Sequence, residues 1–216
     1  SLLICNSNED YELENMHIRG LIEKHIDGIV YISGQNEIKE ISEIKNLPIV
    51  YIDRAPKNAE VLILSDNETG GYLAGRELIA KGCTKILFLR DIRYASTIRS
   101  RKEGFIRALG ENGISFSEEL EMSCFPEYEE TRGVMERLLR EKGCFFDGIF
   151  TTNDMMALAC INVLMENRIK VPDQIRVVGF DNISLSQFAS PQITTIAQDT
   201  KELALHAGET ILKMIE

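Results

Sequence analysis

A carboxylate follows an apolar, strand-like run late in the chain. Residues 175–180 read IRVVGF, and Asp181 and Asn182 come directly after them. Open α/β sheets bind small ligands beyond the carboxyl ends of their strands, where such a residue would lie. A carboxylate at this place can accept hydrogen bonds from neighbouring hydroxyl groups of a sugar. We therefore expect Asp181 to bind a ligand; a capping role for the segment 183–187 is the alternative.

Three more side chains could meet the same ligand. Arg101 lies one turn inside a predicted helix, and its five fixed donors suit hydroxyls or a carboxylate, with a surface ion pair as the alternative. Thr97, one turn earlier on the same helix face, can add a hydroxyl. Asn153 follows a predicted strand, and its amide both donates and accepts. For the adjacent Asp154 we predict the role of helix N-cap.

Three further candidates have less specific signals. Arg54 follows a predicted strand in the first quarter of the chain, so it could supply the opposite wall of a pocket built by two lobes. Phe125 could stack on a sugar face or belong to the core. Gln198 lies in a predicted crossing between lobes and could serve either the hinge or the ligand.

The sequence contains no catalytic or metal-binding motif. It has no GxSxG, HExxH or GxxxxGK[ST] pattern, and none of its three histidines has a cysteine partner at ligand spacing. The glycines at 70, 71 and 75 instead predict close packing of a helix. No pair of carboxylates can be shown to flank a scissile bond. We expect no enzymatic activity, no cofactor and no metal.

Composition narrows the class of protein. The formal net charge is −10, and an acidic surface repels phosphate backbones, so this chain should not bind nucleic acid by itself. No apolar run reaches the length of a transmembrane helix, so no membrane contact is expected. The five cysteines are scattered and form no CxxC pair, which is typical of reduced thiols in a cytoplasmic protein.

Short apolar runs alternate with longer amphipathic runs, which predicts an α/β fold with parallel sheets covered by helices on both faces. We predict that Asp66 and Asn67 cap the third helix and that Gly82 ends it. Residues 183–190 are predicted to be irregular. The predicted strands are 1–5, 28–33, 47–52, 85–89, 121–125, 147–152, 175–180 and 193–196, and the predicted helices are 10–25, 37–45, 68–81, 97–110, 129–140, 154–167 and 201–215.

Four motifs in order resemble the LacI/GalR family of bacterial transcriptional regulators, over essentially the whole chain. They are the spaced pattern SDN…G…AG…L…KG…KI at 65–86, RKEGF at 101–105, TTND followed by MA at 151–157, and VPDQIRVVGFDN…PQITTIAQD at 171–199. The resemblance implies a two-lobe, periplasmic-binding-protein-like fold. We assign residues 1–65 and 198–216 to an incomplete N-terminal lobe and residues 66–197 to the C-terminal lobe.

The resemblance also implies a function. Family members bind a small effector, here a sugar or related molecule, between the lobes, and one relative lobe angle is then favoured. Asp181 and Arg101 match positions that contact effector in the family. Operator DNA would be bound by a helix-turn-helix upstream of Ser1, so we expect the natural protein to extend there, and a homodimer is expected. The alternative is a sugar-binding protein of an ABC-type transporter, against which the scattered cysteines and the motifs at 171–199 argue. A sugar phosphate or a nucleoside stays open as effector.

Overall fold

Strands and helices alternate along the chain and build two units. The computed structural model describes residues 1–8, 10–32, 47–53, 59–93 and 95–216. The first unit comprises Ser1–Ser65 with Asp199–Glu216, and the second comprises Asp66–Gln198. The sheets of both units are parallel and flanked by helices, which confirms the predicted α/β class. The helix predicted at 37–45 lies outside the described residues.

The first unit has a three-stranded parallel sheet with the order β1-β2-β3. Successive residues of the central strand β2 point to opposite faces. Tyr51 packs with Ile18 of the first helix, whereas Val50 packs with Ala207 and Ile211 of the last helix. The described elements are α1 (Tyr11–Glu23), β1 (Ile29–Tyr31), β2 (Ile49–Ile52), β3 (Leu62–Ile63) and α7 (Thr200–Ile215).

The strand predicted at residues 1–5 is wrong. The segment adopts no regular structure, and its apolar side chains are strongly exposed, with Leu2 at 84% and Ile4 at 87%. An apolar run forms a strand only when a neighbouring strand pairs with its backbone N–H and C=O groups. No described strand of this chain pairs with the segment, so its composition alone is not sufficient.

The second unit has a five-stranded parallel sheet with the order β5-β4-β6-β7-β8. The first strand of the unit, β4, has β5 on one side, at the edge of the sheet, and β6, β7 and β8 follow in turn on its other side. The direction in which strands are added therefore reverses between β4 and β6. Crevices at such reversals bind ligands beyond the strand carboxyl ends. The elements are α2 (Asn67–Ala80), β4 (Ile86–Asp91), α3 (Ser96–Glu111), a single 3₁₀ turn (Glu118–Leu120), β5 (Glu121–Cys124), α4 (Tyr128–Lys142), β6 (Gly148–Thr151), α5 (Asp154–Glu166), β7 (Arg176–Asp181), α6 (Ser184–Phe188) and β8 (Thr194–Ala197).

Helices cover both faces of this sheet. On one face Phe88 and Phe150 pack with Phe105 of α3, with ring centroids 5.4–5.6 Å apart. On the other face the neighbouring strand residues pack with α4 and α5, as Ile149 does with Met156. This alternation of side chains around buried strands is what a parallel sheet requires.

Helices α2 and α3 contact each other through their backbones. A Cβ atom at Gly71 would lie 1.9 Å from the carbonyl oxygen of Arg101, and one at Gly104 would lie 1.8 Å from the carbonyl oxygen of Glu68. Only glycine fits at such distances, so the close packing predicted from the glycines of α2 is confirmed. The contact also fixes the position of the Arg101 backbone along the axis of α2.

The predicted roles of Asp66 and Gly82 at the ends of α2 are confirmed, whereas the capping role predicted for Asn67 is wrong, because Asn67 is the first helical residue. Asp66 Oδ1 accepts a hydrogen bond from the Thr69 N–H at 2.9 Å, and Gly82 follows the helix with φ +86°. Residues 183–190 differ from the prediction, because they contain the short helix α6. Five residues are too few to show helical periodicity in the sequence.

The five cysteines form no disulfide, and Cys83, Cys124 and Cys160 are buried. Burial raises the pKa of the Cys160 thiol, the most deeply buried of the three. Among the described helices, none has the length and apolar character needed to cross a membrane.

Candidate functional site

Arg101 is held rigidly at the carboxyl edge of the second unit's sheet. It is only 4% exposed, so the surface ion pair considered as its alternative role is wrong. Its Nε donates to Asn67 Oδ1 at 2.8 Å and its Nη1 donates to the Thr152 carbonyl at 2.5 Å. The guanidinium carbon lies 3.6 Å from the ring centroid of Phe180, a cation–π distance. These contacts fix the plane of the guanidinium and direct Nη2 towards Asp181.

Asp181 ends β7 beside this guanidinium. Its Oδ1 lies 3.6 Å from Arg101 Nη2 and accepts a hydrogen bond from Gln198 Nε2 at 2.7 Å. The side chain keeps 30% of its surface exposed. The backbone has positive φ at Asp181 (+101°) and Asn182 (+54°), a conformation that is uncommon in residues other than glycine. The strand therefore ends by turning a partly exposed carboxylate towards Arg101.

The capping role considered for Asp181 is not the one the structure shows. The N-cap of α6 is Ile183, which makes no side-chain cap. The carboxylate that serves this helix belongs to Asp154, whose Oδ2 accepts from the Ile183 N–H at 2.9 Å. The carboxylate of Asp181 is thus directed to Arg101 and Gln198.

The capping role that the sequence assigned to Asp154 belongs to its neighbour Asn153. Asn153 is the N-cap of α5, and its Oδ1 accepts from the Met156 N–H at 2.8 Å. Its amide nitrogen donates to the Pro126 carbonyl at 3.3 Å. Asp154 was predicted to be the cap, and that prediction is wrong, since it is the first helical residue and is buried. Either residue type suits an N-cap, so sequence alone does not decide between adjacent ones.

The remaining predicted residues lie in different settings. Thr97 is the second residue of α3 and is buried. Phe125 is 52% exposed, so the core role considered for it is wrong and its ring is available for stacking. Gln198 reaches Asp181 because β8 pairs in register with β7, which places Ala197 beside Asp181. Arg54 lies outside the described residues.

Sequence reasoning missed a second arginine at this edge. Asp91 ends β4 and is 2% exposed, and both of its carboxylate oxygens accept hydrogen bonds from Arg93, the shortest at 2.6 Å from Nη2. Burial lowers the pKa of Arg93, against the charge of Glu127, which raises it. The buried Asp91 carboxylate thus holds the partly exposed guanidinium of Arg93 at the carboxyl end of β4. Asp and Arg two residues apart after a predicted strand were the available signal.

Asn67 was also missed as a site residue. It is 3% exposed, and its amide oxygen receives the Nε–H of Arg101. From sequence it was assigned only to capping, because nothing local connects it with a residue 34 positions away.

Within the described part of the chain, no group of three or more His, Cys, Asp or Glu side chains could hold a metal ion. A cavity of about 500 Å³ lies elsewhere, beside Arg176 and Thr194 at the start of β7 and β8. The chemistry at the carboxyl edge is that of hydrogen-bond donors and acceptors arranged around one buried guanidinium.

Comparison with known proteins agrees with this architecture. The family model for the periplasmic binding protein-like domain matches residues 76–216. The transcriptional repressor PurR of Pasteurella multocida (strain Pm70) is 32% identical over 219 residues, covering 100% of this chain and 65% of that protein. The chain thus spans about two thirds of the length of the curated relatives it matches.

Two solved structures are similar over nearly the whole chain. The transcription regulator CcpA of Lactococcus lactis superposes with a TM-score of 0.89 at 24% identity, covering 99% of this chain and 79% of that one, which shows the fold. A periplasmic binding protein/LacI transcriptional regulator from Alkaliphilus metalliredigens QYMF, complexed with D-xylulofuranose, has a TM-score of 0.83 at 26% identity, covering 100% of this chain and 79% of that one. The chain belongs to the periplasmic binding protein-like domain family, and LacI-type transcriptional regulators are among the proteins to which it is similar.

Proposed function

We propose that this chain senses a small polyhydroxy molecule, such as a sugar, for a DNA-binding transcriptional regulator. The observation that carries the proposal is the placement of the Asp181 carboxylate 3.6 Å from Nη2 of a buried guanidinium whose Nε and Nη1 are held by Asn67 and Thr152. A donor and an acceptor side by side match the two roles of neighbouring sugar hydroxyls, each of which can accept one hydrogen bond and donate another.

The pair favours a neutral, hydroxyl-rich ligand. The separation of 3.6 Å is longer than a direct charge-assisted hydrogen bond, for which about 2.7–2.9 Å is usual, so neither group is saturated by the other. A hydroxyl that bridges them would replace a weak contact by two strong ones. The exposed ring of Phe125 is free to stack on an apolar sugar face. Thr97 and Asn153 are candidates for polar contacts, although Thr97 is buried and Asn153 already accepts a hydrogen bond from the Met156 N–H.

The relatives support a regulator over the transporter alternative. The curated repressors and the LacI-type structure named above are transcriptional regulators, and one of them was solved with a sugar. The net charge of −10 fits a division of labour in which operator DNA is bound by another segment of the protein. We further propose a cytoplasmic homodimer with no enzymatic activity, as expected for regulators of this kind.

A thermal-shift screen tests the proposal. The panel contains D-xylulose, D-ribose, D-glucose and cellobiose, with adenosine and guanosine as non-sugar comparisons. The wild-type protein is compared with Asp181→Ala and with Asp173→Ala, which removes an exposed carboxylate that lines the cavity near β7. A ligand that binds only the folded protein raises the unfolding midpoint, and at equal concentration a tighter ligand raises it more.

We expect at least one sugar to raise the midpoint of the wild type and of Asp173→Ala. Asp181→Ala should bind it more than about tenfold more weakly, since hydrogen bonds to a charged acceptor contribute on the order of 1.5–3 kcal/mol. A panel in which no sugar binds, in which only a nucleoside binds, or in which Asp181→Ala retains full affinity would contradict the proposal.

A further inference from the structure

Asp154 is a buried carboxylate that accepts hydrogen bonds from three donors in two other segments of the chain. It is 1% exposed. Its Oδ1 accepts from Thr195 Oγ1 of β8 at 2.5 Å, and its Oδ2 accepts from the Ile183 N–H at 2.9 Å and from Ser186 Oγ of α6 at 2.5 Å. Buried carboxylates are stable only when such bonds satisfy them, and the start of α5 adds a favourable helix dipole. The residue therefore joins α5 to the segment after β7 and to β8.

This network surrounds the strained backbone of the candidate site. The Asn182 N–H donates to Thr195 Oγ1 at 3.3 Å, and the same hydroxyl donates to Asp154. Asn182 and Asp181 both have positive φ, which persists only where the surroundings enforce it. The contacts to Asn182 and Ile183 provide that enforcement directly after Asp181.

Asp154 also lies directly against β7. A Cβ atom at Gly179 would come within 2.3 Å of Asp154 Oδ1 and 3.2 Å of the Ala157 side chain. Glycine at this position lets α5 approach the strand two residues before Asp181. The carboxylate thus contacts the chain on both sides of Asp181, before it through β7 and after it through Ile183.

We propose that Asp154 is the positioning residue for Asp181: it holds the 181–186 segment in the conformation that presents the Asp181 carboxylate to the effector. This inference rests on the proposed function for the role of Asp181. The hydrogen bonds by which Asp154 holds Ile183, Ser186 and Thr195, which we call the clamp, can nevertheless be tested without any effector. Asp154 does not contact the effector in this account, and it acts only through the backbone that follows β7.

The chain offers a matched control at the other end of the same strand. Asp147 precedes β6 as Asp154 follows it, and its carboxylate also has three donors at 2.9–3.0 Å: the N–H groups of Thr84 and Lys85 and the Thr84 hydroxyl. Asp154 has one N–H and two hydroxyls as donors. Asp147→Asn therefore removes the same charge from a network of equal size, away from Asp181.

Hydrogen exchange followed by NMR is measured on the ligand-free protein for wild type, Asp154→Asn and Asp147→Asn. We expect Asp154→Asn to accelerate exchange at Asn182 and Ile183 by about tenfold or more; tenfold corresponds to about 1.4 kcal/mol, the order of one lost hydrogen bond. Asp147→Asn should leave these two amides unchanged and affect only those of residues 84 and 85.

A second pair keeps the test informative if Asp154→Asn fails to fold. Thr195→Ser retains the bridging hydroxyl and should exchange like the wild type at Asn182, whereas Thr195→Val should accelerate it. Unchanged exchange at Asn182 and Ile183 in both Asp154→Asn and Thr195→Val would overturn the proposal. The same result in Thr195→Ser as in Thr195→Val would also overturn it, because the hydroxyl would then play no part.

Affinity separates the clamp from the proposed function. For the panel sugar that stabilises the wild type most, Asp154→Asn should lose at least about fivefold in affinity while Asp147→Asn loses none. Altered exchange with unaltered sugar affinity would show a clamp that does not position Asp181, and would overturn the inference. If no sugar binds the wild type, the proposed function fails while the exchange result still decides whether the clamp exists.

Discussion

The substitution Arg101→Lys tests how the guanidinium supports both the fold and the site. Arg101 is 4% exposed and makes two side-chain hydrogen bonds while stacking on Phe180. Lysine keeps the positive charge, but its single nitrogen cannot occupy both donor positions that Nε and Nη1 hold in the planar fork, so we expect it to satisfy only one of the two acceptors. The amide oxygen of Asn67 or the carbonyl of Thr152 is then left buried without a donor.

The expected cost follows from these contacts. One lost hydrogen bond to a charged donor is worth about 1.5–3 kcal/mol, and loss of the planar stacking adds about 1 kcal/mol. We predict that Arg101→Lys lowers the free energy of unfolding by roughly 2–4 kcal/mol on these figures. Sugar affinity should fall about tenfold or more as well, because Nη2 no longer faces Asp181.

The assay is denaturant unfolding followed by far-UV circular dichroism, since the chain has no tryptophan to report by fluorescence. The matched control is Arg107→Lys on the same helix, where an exposed guanidinium faces Glu68 at 3.3 Å; its cost should stay below about 1 kcal/mol. Equal stability losses in the two variants, or none in Arg101→Lys, would refute the reasoning about the buried fork.

Two further predictions concern the second unit. Burial would raise the pKa of Glu121, but hydrogen bonds from Lys102 and Arg90 outweigh it and hold the pKa below its ordinary value. The carboxylate therefore stabilises the fold above the unfolded pKa of about 4.3, and this contribution is lost as pH falls through the lower, folded pKa. Glu121→Gln should lower the free energy of unfolding at pH 7, and below about pH 5 that free energy should fall less steeply with pH than in the wild type, as measured by urea unfolding. The same pH dependence in both proteins would contradict the stabilising role of the Glu121 carboxylate. Gly104→Ala should prevent folding or lower the melting temperature strongly, because its Cβ would lie 1.8 Å from a backbone oxygen. The control Gly110→Ala lies on the same helix, where a Cβ meets nothing within 4 Å, and it should be neutral or stabilising. Similar melting temperatures for the two variants would contradict the close packing of α2 and α3.

The sequence predicted most of the strands and helices because their signals are local. Asp66 before an amphipathic run and Gly82 after it mark the ends of α2 by the chemistry of those two positions alone. The strand predicted at residues 1–5 was wrong because strand formation, unlike a helix cap, depends on residues far away in the sequence. Pairing depends on a neighbouring strand, and an apolar run carries no information about whether that neighbour exists.

The site was predictable only in part. Asp181 could be named because it directly follows a strand that is visible in the sequence, and Arg101 because it lies one turn inside a visible helix. Their supporting residues could not, since Asn67 and Phe180 reach Arg101 through tertiary packing that has no local pattern. Asp154 shows the same limit, because its partners at 183, 186 and 195 become neighbours only once β7 and β8 lie side by side.

The most direct measurement is a crystal structure of the protein with the panel sugar that stabilises it most. The account predicts ordered sugar hydroxyls within hydrogen-bond distance of Arg101 Nη2 and of the Asp181 carboxylate, with the guanidinium still bonded to Asn67. Sugar ordered instead in the cavity beside Arg176, with the carboxyl edge of the sheet unaltered, would contradict the central claim.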